Sequence, residues 1–112
     1  MFAPDVRWSA SDKKIARRAF DAALEKALAK LMAEFKARAD AVVTPHDMWA
    51  IERYLREQRQ EIDDLFDYRY SQLLFGFARL IREGHLDETS LAGLSEEKLT
   101  IIRNMLSSSM SE

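Results

Sequence analysis

Residues 10–44 read ASDKKIARRAFDAALEKALAKLMAEFKARADAVVT, and this stretch decides the fold because it contains neither glycine nor proline. Apolar side chains recur along it three and four positions apart, a spacing that places them on one side of an α-helix. A hydroxyl at Ser9 or Ser11 can cap the start of that helix. The pattern therefore predicts one long helix over residues 9–43. Its apolar stripe consists of Phe20, Leu24, Ala27, Leu31 and Phe35, with Leu28 and Met32 widening it on one side.

A helix of that length has a consequence for assembly. It would extend on the order of 45 Å, since each residue adds about 1.5 Å. The whole chain has 112 residues, and a compact monomer of that size has a radius of gyration of about 13 Å. Such a monomer cannot cover the rod along its full length. We therefore expect the chain to associate with further copies of itself.

A capping signal in the middle of the chain marks the start of a second helix. A hydroxyl cap, a proline at the first helical position and a carboxylate three residues after the cap are typical of a helix N-terminus. The signal predicts a helix over residues 45–62. Trp49 leaves the apolar side of this helix and lies near Glu52 and Arg53, so it is a candidate for a contact surface. The capping signal is the run Thr44, Pro45, His46 and Asp47.

The second half of the chain predicts two further helices. Residues 67–83 are apolar on nearly every side, as expected of a buried core helix, and Gly84 is a suitable stop. Gly76 within this helix predicts close approach by a neighbouring helix. Ser95 caps a last helix over residues 95–106, and the polar residues 107–112 are expected to be a disordered tail. The fold class is all-α: a long N-terminal helix plus three further helices, one domain over residues 1–112, in a helical-bundle-like dimer.

Composition narrows the range of functions. The chain has no cysteine and a formal net charge of -2, so it offers no thiol chemistry and no cationic surface typical of proteins that track nucleic acid. No stretch approaches the ~20 apolar residues that span a bilayer. We expect a cytoplasmic protein without membrane insertion and without nucleic acid.

The sequence contains no convincing catalytic or metal-binding constellation. Asp63, Asp64 and Asp67 have the spacing of a magnesium-binding aspartate motif, but we interpret them as helix-end carboxylates that stabilise a helix N-terminus near Asp67. The two histidines, His46 and His85, lie 39 positions apart with no other ligand at a suitable spacing. We expect no enzyme activity, no metal and no cofactor.

A set of residues along the chain resembles the fluorescence recovery protein family of cyanobacteria. The similarity extends over residues 8–106 and is most specific between residues 59 and 84. The residues that carry it are Trp49, then Arg59, Glu61, Ile62 and Asp63, then the run Asp67, Tyr68, Arg69, Tyr70 and Ser71, then Phe75, and then the run Phe77, Ala78, Arg79, Leu80, Ile81, Arg82, Glu83 and Gly84.

The resemblance implies a regulator that works by binding another protein. Members of the family are all-helical homodimers with a long first helix. They bind the light-activated form of the orange carotenoid protein, hasten its return to the resting form, and so end energy quenching in photoprotection. A protein with this effect must bind one conformation of its partner, or the barrier between two conformations, better than the alternative.

The resemblance also assigns candidate protein-binding residues. Trp49, Arg59 and Phe75 match family positions used in contacts, although core or dimer packing is an alternative for Trp49 and core packing for Phe75. Glu52 and Arg53 stand where the family carries His and Asp. The family's Asp can pair with its Arg across the dimer, whereas Arg53 would repel Arg59 unless Glu52 or Glu57 takes the place of that Asp. This departure leaves two functions open: binding the orange carotenoid protein or a related domain, or serving as a homodimeric adaptor or stress-related interaction protein without that partner.

Overall fold

The computed structural model describes the backbone of residues 7–110 and the side chains of residues 7–108. Over this range the chain forms four α-helices and one short 3-10 helix, with no strand, so the all-α prediction is confirmed. The α-helices are α1 (Ala10–Asp40), α2 (Pro45–Leu65), α3 (Leu73–Arg82) and α4 (Glu96–Met110), and the 3-10 helix spans Glu88–Leu91. No helix within residues 7–110 combines the length and the apolar character needed to cross a membrane.

Reciprocal caps fix where the first two helices begin. At α1, Ser9 Oγ accepts from the backbone N–H of Asp12 at 3.0 Å, and the Asp12 carboxylate accepts from the N–H of Ser9. At α2, Thr44 Oγ1 accepts from the N–H of Asp47 at 3.2 Å, and the Asp47 carboxylate accepts in return. These bonds satisfy donors that have no partner within the helix. Hydrogen bonds from the Val43 and Thr44 backbone lower the pKa of Asp47.

The second helix turns back along the first. The Tyr54 hydroxyl donates to Glu34 Oε1 at 2.9 Å, and the Arg38 guanidinium lies 3.8 Å from the centre of the Tyr54 ring. Since Tyr54 is in α2 and its two partners are near the end of α1, the two helices form an antiparallel hairpin. α2 extends to Leu65, three residues beyond the predicted end at 62, because the buried Leu65 side chain anchors its last turn in the core.

The segment between α2 and α3 is not helical, and the predicted start of the core helix at Asp67 is wrong. The rings of Phe66 and Tyr68 pack edge-on against Phe20 of α1, with centroids 5.5 and 4.8 Å away. Asp67 pairs with Arg69 at 2.6 Å. Aromatic residues have modest helix propensity, so packing the two rings across α1 prevails over a continuous helix through residues 66–72.

The interpretation of Asp63 and Asp64 must change with this boundary. Both lie in the last turn of α2, where the helix dipole disfavours negative charge. They do not mark the beginning of a helix near Asp67. Their exposure to solvent screens the unfavourable interaction.

The third helix is buried on one side and open on the other. Leu73, Leu74, Phe77, Ala78 and Leu80 are all buried, so the helix contributes to the core as predicted. The prediction that neighbours cover it on every side is wrong, because Phe75 is 43% exposed. The expected close approach at Gly76 is wrong, because a Cβ placed there would meet nothing within 4 Å. The helix ends before Gly84, whose φ of +81° is the left-handed conformation that glycine adopts at low cost.

A buried ion pair joins the beginning of α4 to the beginning of α1. Lys98 Nζ lies 3.1 Å from the Asp12 carboxylate, and Lys98 also donates to the carbonyl oxygen of Arg7. The N–H of Ser95 donates to Asp12 at 3.3 Å. Burial acts to raise the pKa of Asp12, but its bonds with Lys98 and Ser9 prevail and lower that pKa below 3.8.

The predicted tail is partly helical. α4 continues to Met110, past the predicted end at 106, since no glycine or proline interrupts it. The disordered tail predicted over residues 107–112 is therefore wrong for residues 107–110, and residues 111–112 lie outside the described range.

The core lies at one end of an elongated molecule. Five α1 residues of the core are buried, from Ala16 to Ala27, and no α1 residue after Ala27 is buried. We call residues 7–27 together with 65–108 the packed end, and residues 28–64 the arm. The arm is the hairpin formed by the second half of α1 and nearly all of α2. The radius of gyration is 17.0 Å and the longest extent 53 Å, against a radius of gyration of about 13 Å for a compact chain of this size.

Candidate protein-binding surfaces

Three of the predicted binding residues lie on the outer side of α2. Trp49, Glu52 and Arg53 are three and four positions apart, so one side of the helix carries them together. This side faces away from Tyr54, which contacts α1. Trp49 is 60% exposed, so most of its indole is free to contact another molecule. Within the described chain Trp49 is not part of the core.

The acid on this surface already has a partner. Glu52 pairs with Arg56 at 2.5 Å, and this bond lowers the pKa of Glu52. Arg53 forms no ion pair with any described residue, although its charge also lowers the pKa of Glu52. An exposed pair of this kind contributes little to stability, so a partner protein can exchange it at small cost.

Arg59 lies further along α2 and is exposed. It forms no ion pair with the residues that the structure describes. It lies six positions after Arg53, which corresponds to about 9 Å along the helix axis. At that separation in water, the repulsion between the two cations of one chain is weak. The guanidinium of Arg59 is therefore available for a contact with another molecule.

The fifth predicted residue, Phe75, lies on a separate surface. It is 43% exposed on α3, although core packing was an equally good expectation. Its ring borders a shallow cleft of about 170 Å³ between the end of α2 and the outer side of α3, lined also by Asp64, Arg69 and Arg79. The structure therefore places the five candidate residues on two surfaces, one on α2 and one on α3.

A further set of exposed apolar side chains lies on the arm. Leu28, Met32 and Phe35 follow the helical spacing of the predicted α1 stripe, yet all three are exposed, and so is Met48 at the start of α2. The sequence stripe predicted helix, but it did not show which part of the stripe would be covered. Met48 was not among the candidate residues. The sequence held one relevant signal: α1 is too long for the rest of the chain to cover, so apolar residues beside its far end, Met48 among them, should be exposed.

The cleft between the two parts of the molecule offers no metal site. It has a volume of about 200 Å³ and is lined by Glu34, Glu61, Glu83 and His85, among others. His85 packs beside Phe66, with ring centroids 6.2 Å apart. Within residues 7–108, no group of three or more histidine, aspartate or glutamate side chains is arranged to hold a metal ion.

Comparison with known families matches nearly all of the chain. Residues 8–106 match the family described as photoprotection regulator fluorescence recovery protein. The chain is 31% identical over 99 residues to the fluorescence recovery protein of Synechocystis, a match that covers 88% of this chain and 91% of that protein.

Solved structures agree with this assignment. The fluorescence recovery protein of Fremyella diplosiphon superposes with a TM-score of 0.84 at 37% identity, covering 90% of this chain and 98% of that one. The Synechocystis protein gives the same TM-score at 30% identity, covering 88% and 97%. Fold, length and sequence thus point to one family over nearly the whole chain. This chain belongs to the fluorescence recovery protein family of photoprotection regulators.

Proposed function

We propose that this protein binds the light-activated form of the orange carotenoid protein and accelerates its return to the resting form. The observation that carries the proposal is membership of the fluorescence recovery protein family combined with large exposed side chains at the positions where the family makes contacts. Trp49, Arg59 and Phe75 are all exposed. The protein acts by binding, without covalent chemistry, and a cytoplasmic location remains part of this proposal.

Binding requires that the surface prefer one state of the partner. An aromatic side chain such as Trp49 or Phe75 contributes most when it enters a pocket that excludes water, and such residues dominate the binding energy of protein interfaces. A pocket that exists only in the activated partner, or on its path back to rest, makes the contact selective. The exposed Arg59 adds a planar, always charged donor suited to a carboxylate.

The acting species in this proposal is a homodimer formed through the arm. Leu28, Met32, Phe35 and Met48 are exposed apolar residues on the hairpin, and a second copy would remove them from water. Burying apolar surface contributes about 25 cal/mol per Å². In the family the Asp at the position of Arg53 can pair with the Arg of the other chain, so here Arg53 would approach Arg59 of a second copy. Exchange of Glu52 from Arg56 to such a guanidinium would relieve that repulsion.

Light scattering coupled to size-exclusion chromatography tests both parts. The protein is run alone and then mixed with photoactivated orange carotenoid protein, and the recovery of the resting colour is followed in the same sample. A mass of two chains, co-elution and faster recovery are expected. A dimer that neither co-elutes nor changes the recovery rate would support the adaptor alternative and overturn the proposed partner.

Matched variants separate docking from folding. Phe75→Ala should slow recovery without altering the mass, because Phe75 lies on α3 and outside the arm. Val43→Ala is the control, since Val43 is 86% exposed at the tip of the arm and is not a candidate contact. If both variants slow recovery equally, Phe75 has no specific role in docking.

A further inference from the structure

Positive charge is concentrated on the first turns of α1. Of the 17 lysine and arginine residues in the chain, four lie between residues 13 and 18, and all four are exposed. Helical spacing places Lys14 and Arg18 on the side opposite Ala16 and Ala23, which face the core, and places Lys13 and Arg17 at the edge of that side. No acidic residue interrupts the run. We call this surface the basic patch: Lys13, Lys14, Arg17 and Arg18.

Two of the four cations, Lys14 and Arg18, make no contact within residues 7–108 that would explain their charge by a role in the fold. Cations in the first turn of a helix are disfavoured by the helix dipole, and Lys13 lies in the first turn of α1. Lys14 and Arg18 form no ion pair with any described residue, while Arg17 pairs with Asp21 at 3.3 Å. The neighbouring Asp12 is buried and occupied by Lys98. Exposed charges that no contact within the fold explains, here Lys14 and Arg18, are candidates for a functional surface.

Aromatic rings border the patch. The Arg17 guanidinium lies 3.8 Å from the centre of the Tyr68 ring, and Lys13 Nζ lies 5.4 Å from that of Tyr70. The Tyr70 ring packs against Trp8 with centroids 5.3 Å apart and is exposed. Stacking holds the Arg17 head group in place before any partner arrives. Arginine and tyrosine together are characteristic of the energetically important centre of protein interfaces.

We propose that the basic patch, together with Tyr70, is a docking surface for an acidic segment of a protein partner. Charge complementarity specifies a segment rich in aspartate and glutamate. Nucleic acid is the weaker choice, because the chain as a whole carries a net charge of -2 and four cations are fewer than the roughly 6–10 phosphate contacts of a typical duplex-binding protein. None of the five candidate residues on α2 and α3 belongs to this surface, so the inference does not depend on the proposed function.

Fluorescence anisotropy with a defined probe tests the inference. The probe is a fluorescein-labelled peptide of alternating glutamate and glycine, titrated with the full-length protein at low salt. We expect saturable binding that weakens as salt is added, since exposed charges are screened. The variant Lys14→Glu/Arg18→Glu should weaken binding by about tenfold or more. The control Lys30→Glu/Lys36→Glu makes the same charge change at exposed positions of the arm and should bind like wild type.

Each other outcome overturns the proposal. Absence of wild-type binding, or equal losses in the two double variants, would mean that the patch is not a specific surface. Tighter binding of a single-stranded oligonucleotide of equal charge would assign the patch to nucleic acid. If the molecular mass of the protein in solution at low salt is lower for Lys14→Glu/Arg18→Glu than for wild type and the control, the patch binds a second copy of this chain instead. Circular dichroism checks folding, and Lys14→Gln/Arg18→Gln replaces the reversal variant if that variant unfolds.

Discussion

The packed end and the arm contain similar apolar side chains, but only the packed end buries them. In the packed end α1 presents Ala16, Phe20 and Ala23 to the core cluster. In the arm the same helix carries Leu28, Met32 and Phe35, and these are exposed. The difference shows that burial depends on which element lies opposite a side chain. The arm has one partner helix, whereas the packed end has α3, the 3-10 helix and α4.

The largest expected effect comes from a comparison of two phenylalanines of α3, one buried in the core and one exposed to solvent. Phe77 is 0% exposed, whereas Phe75 is 43% exposed. Phe77→Ala should lower the free energy of unfolding by about 3–5 kcal/mol because it leaves a cavity, and Phe75→Ala should lower it by less than about 1 kcal/mol. Urea unfolding of both variants measures the difference. Equal losses would show that the outer side of α3 is also packed.

A second test concerns the buried ion pair, which has no counterpart in the arm. Lys98→Met leaves the Asp12 carboxylate buried without its cation and should destabilise the fold by about 3–5 kcal/mol. The double variant Asp12→Asn/Lys98→Met removes both charges and should recover much of that loss. Thermal unfolding of the single and double variants gives the comparison. A double variant no more stable than Lys98→Met would indicate that loss of the Lys98 contacts, and not the unpaired charge, causes the effect.

The same ion pair predicts an acid dependence. The pKa of Asp12 is lower in the folded chain than its ordinary value of 3.8, so the unfolded chain binds the proton more tightly. Its contribution is complete above the unfolded pKa and is lost as pH falls through the lower folded pKa. Urea unfolding between neutral pH and about pH 2 should therefore show a smaller acid loss in Asp12→Asn than in wild type. Parallel curves would contradict the linkage.

In the arm, Trp49→Ala should affect association more than folding. The exposed indole makes little contribution to the fold of one chain, so the free energy of unfolding per chain should change by less than about 0.5 kcal/mol. If Trp49 lies at a contact, the dimer or its complex with the carotenoid protein should dissociate at higher protein concentration than wild type. Sedimentation velocity over a dilution series measures this. A loss of stability equal to the loss of association would make Trp49 a plain packing residue.

Two glycines are expected to change the stability of the fold in opposite directions. Gly76 is helical with open space around it, so Gly76→Ala should stabilise the fold by about 0.5–1 kcal/mol. Gly93 has φ +102° and a Cβ there would lie 2.8 Å from Ile15 Cδ1, so Gly93→Ala should destabilise it. Thermal shifts of opposite sign are expected. Shifts of the same sign would contradict either the open space beside Gly76 or the tight contact between position 93 and Ile15.

The sequence predicted helix starts well where they depend on hydrogen bonds between residues a few positions apart. The cap at Thr44 and Asp47 is visible as residue types at fixed spacing, and the structure forms it. The start of the third helix was predicted six residues early, at Asp67, because the packing of Phe66 and Tyr68 on Phe20 joins residues distant in sequence. The pairing of Asp12 with Lys98 was not foreseen for the same reason, since 86 positions separate the two side chains.

The candidate surfaces divide in the same way. The resemblance to the family singled out Trp49, Arg59 and Phe75 as residue types at given positions, and their roles in binding remain predictions. Their exposure became visible only in the fold, because α3 turns Phe77 inward and Phe75 outward although both are phenylalanines in one apolar run. The space beside Gly76 was also not predictable, since its neighbours in sequence are apolar and give no sign that this side of α3 is open.

The amino-acid sequence alone was sufficient for the helical class, the family resemblance, the two capped helix starts and a first helix too long for a compact monomer. The resemblance comes from particular residue types at particular positions, whereas the helical class, the caps and the helix length follow from backbone hydrogen bonding and side-chain periodicity over a few residues. Only the tertiary structure decided that the core gathers at one end, that Asp12 and Lys98 meet there, and that the arm leaves Met32 and Trp49 uncovered. Burial and pairing depend on what the rest of the chain places opposite each residue, and that is a property of the whole fold.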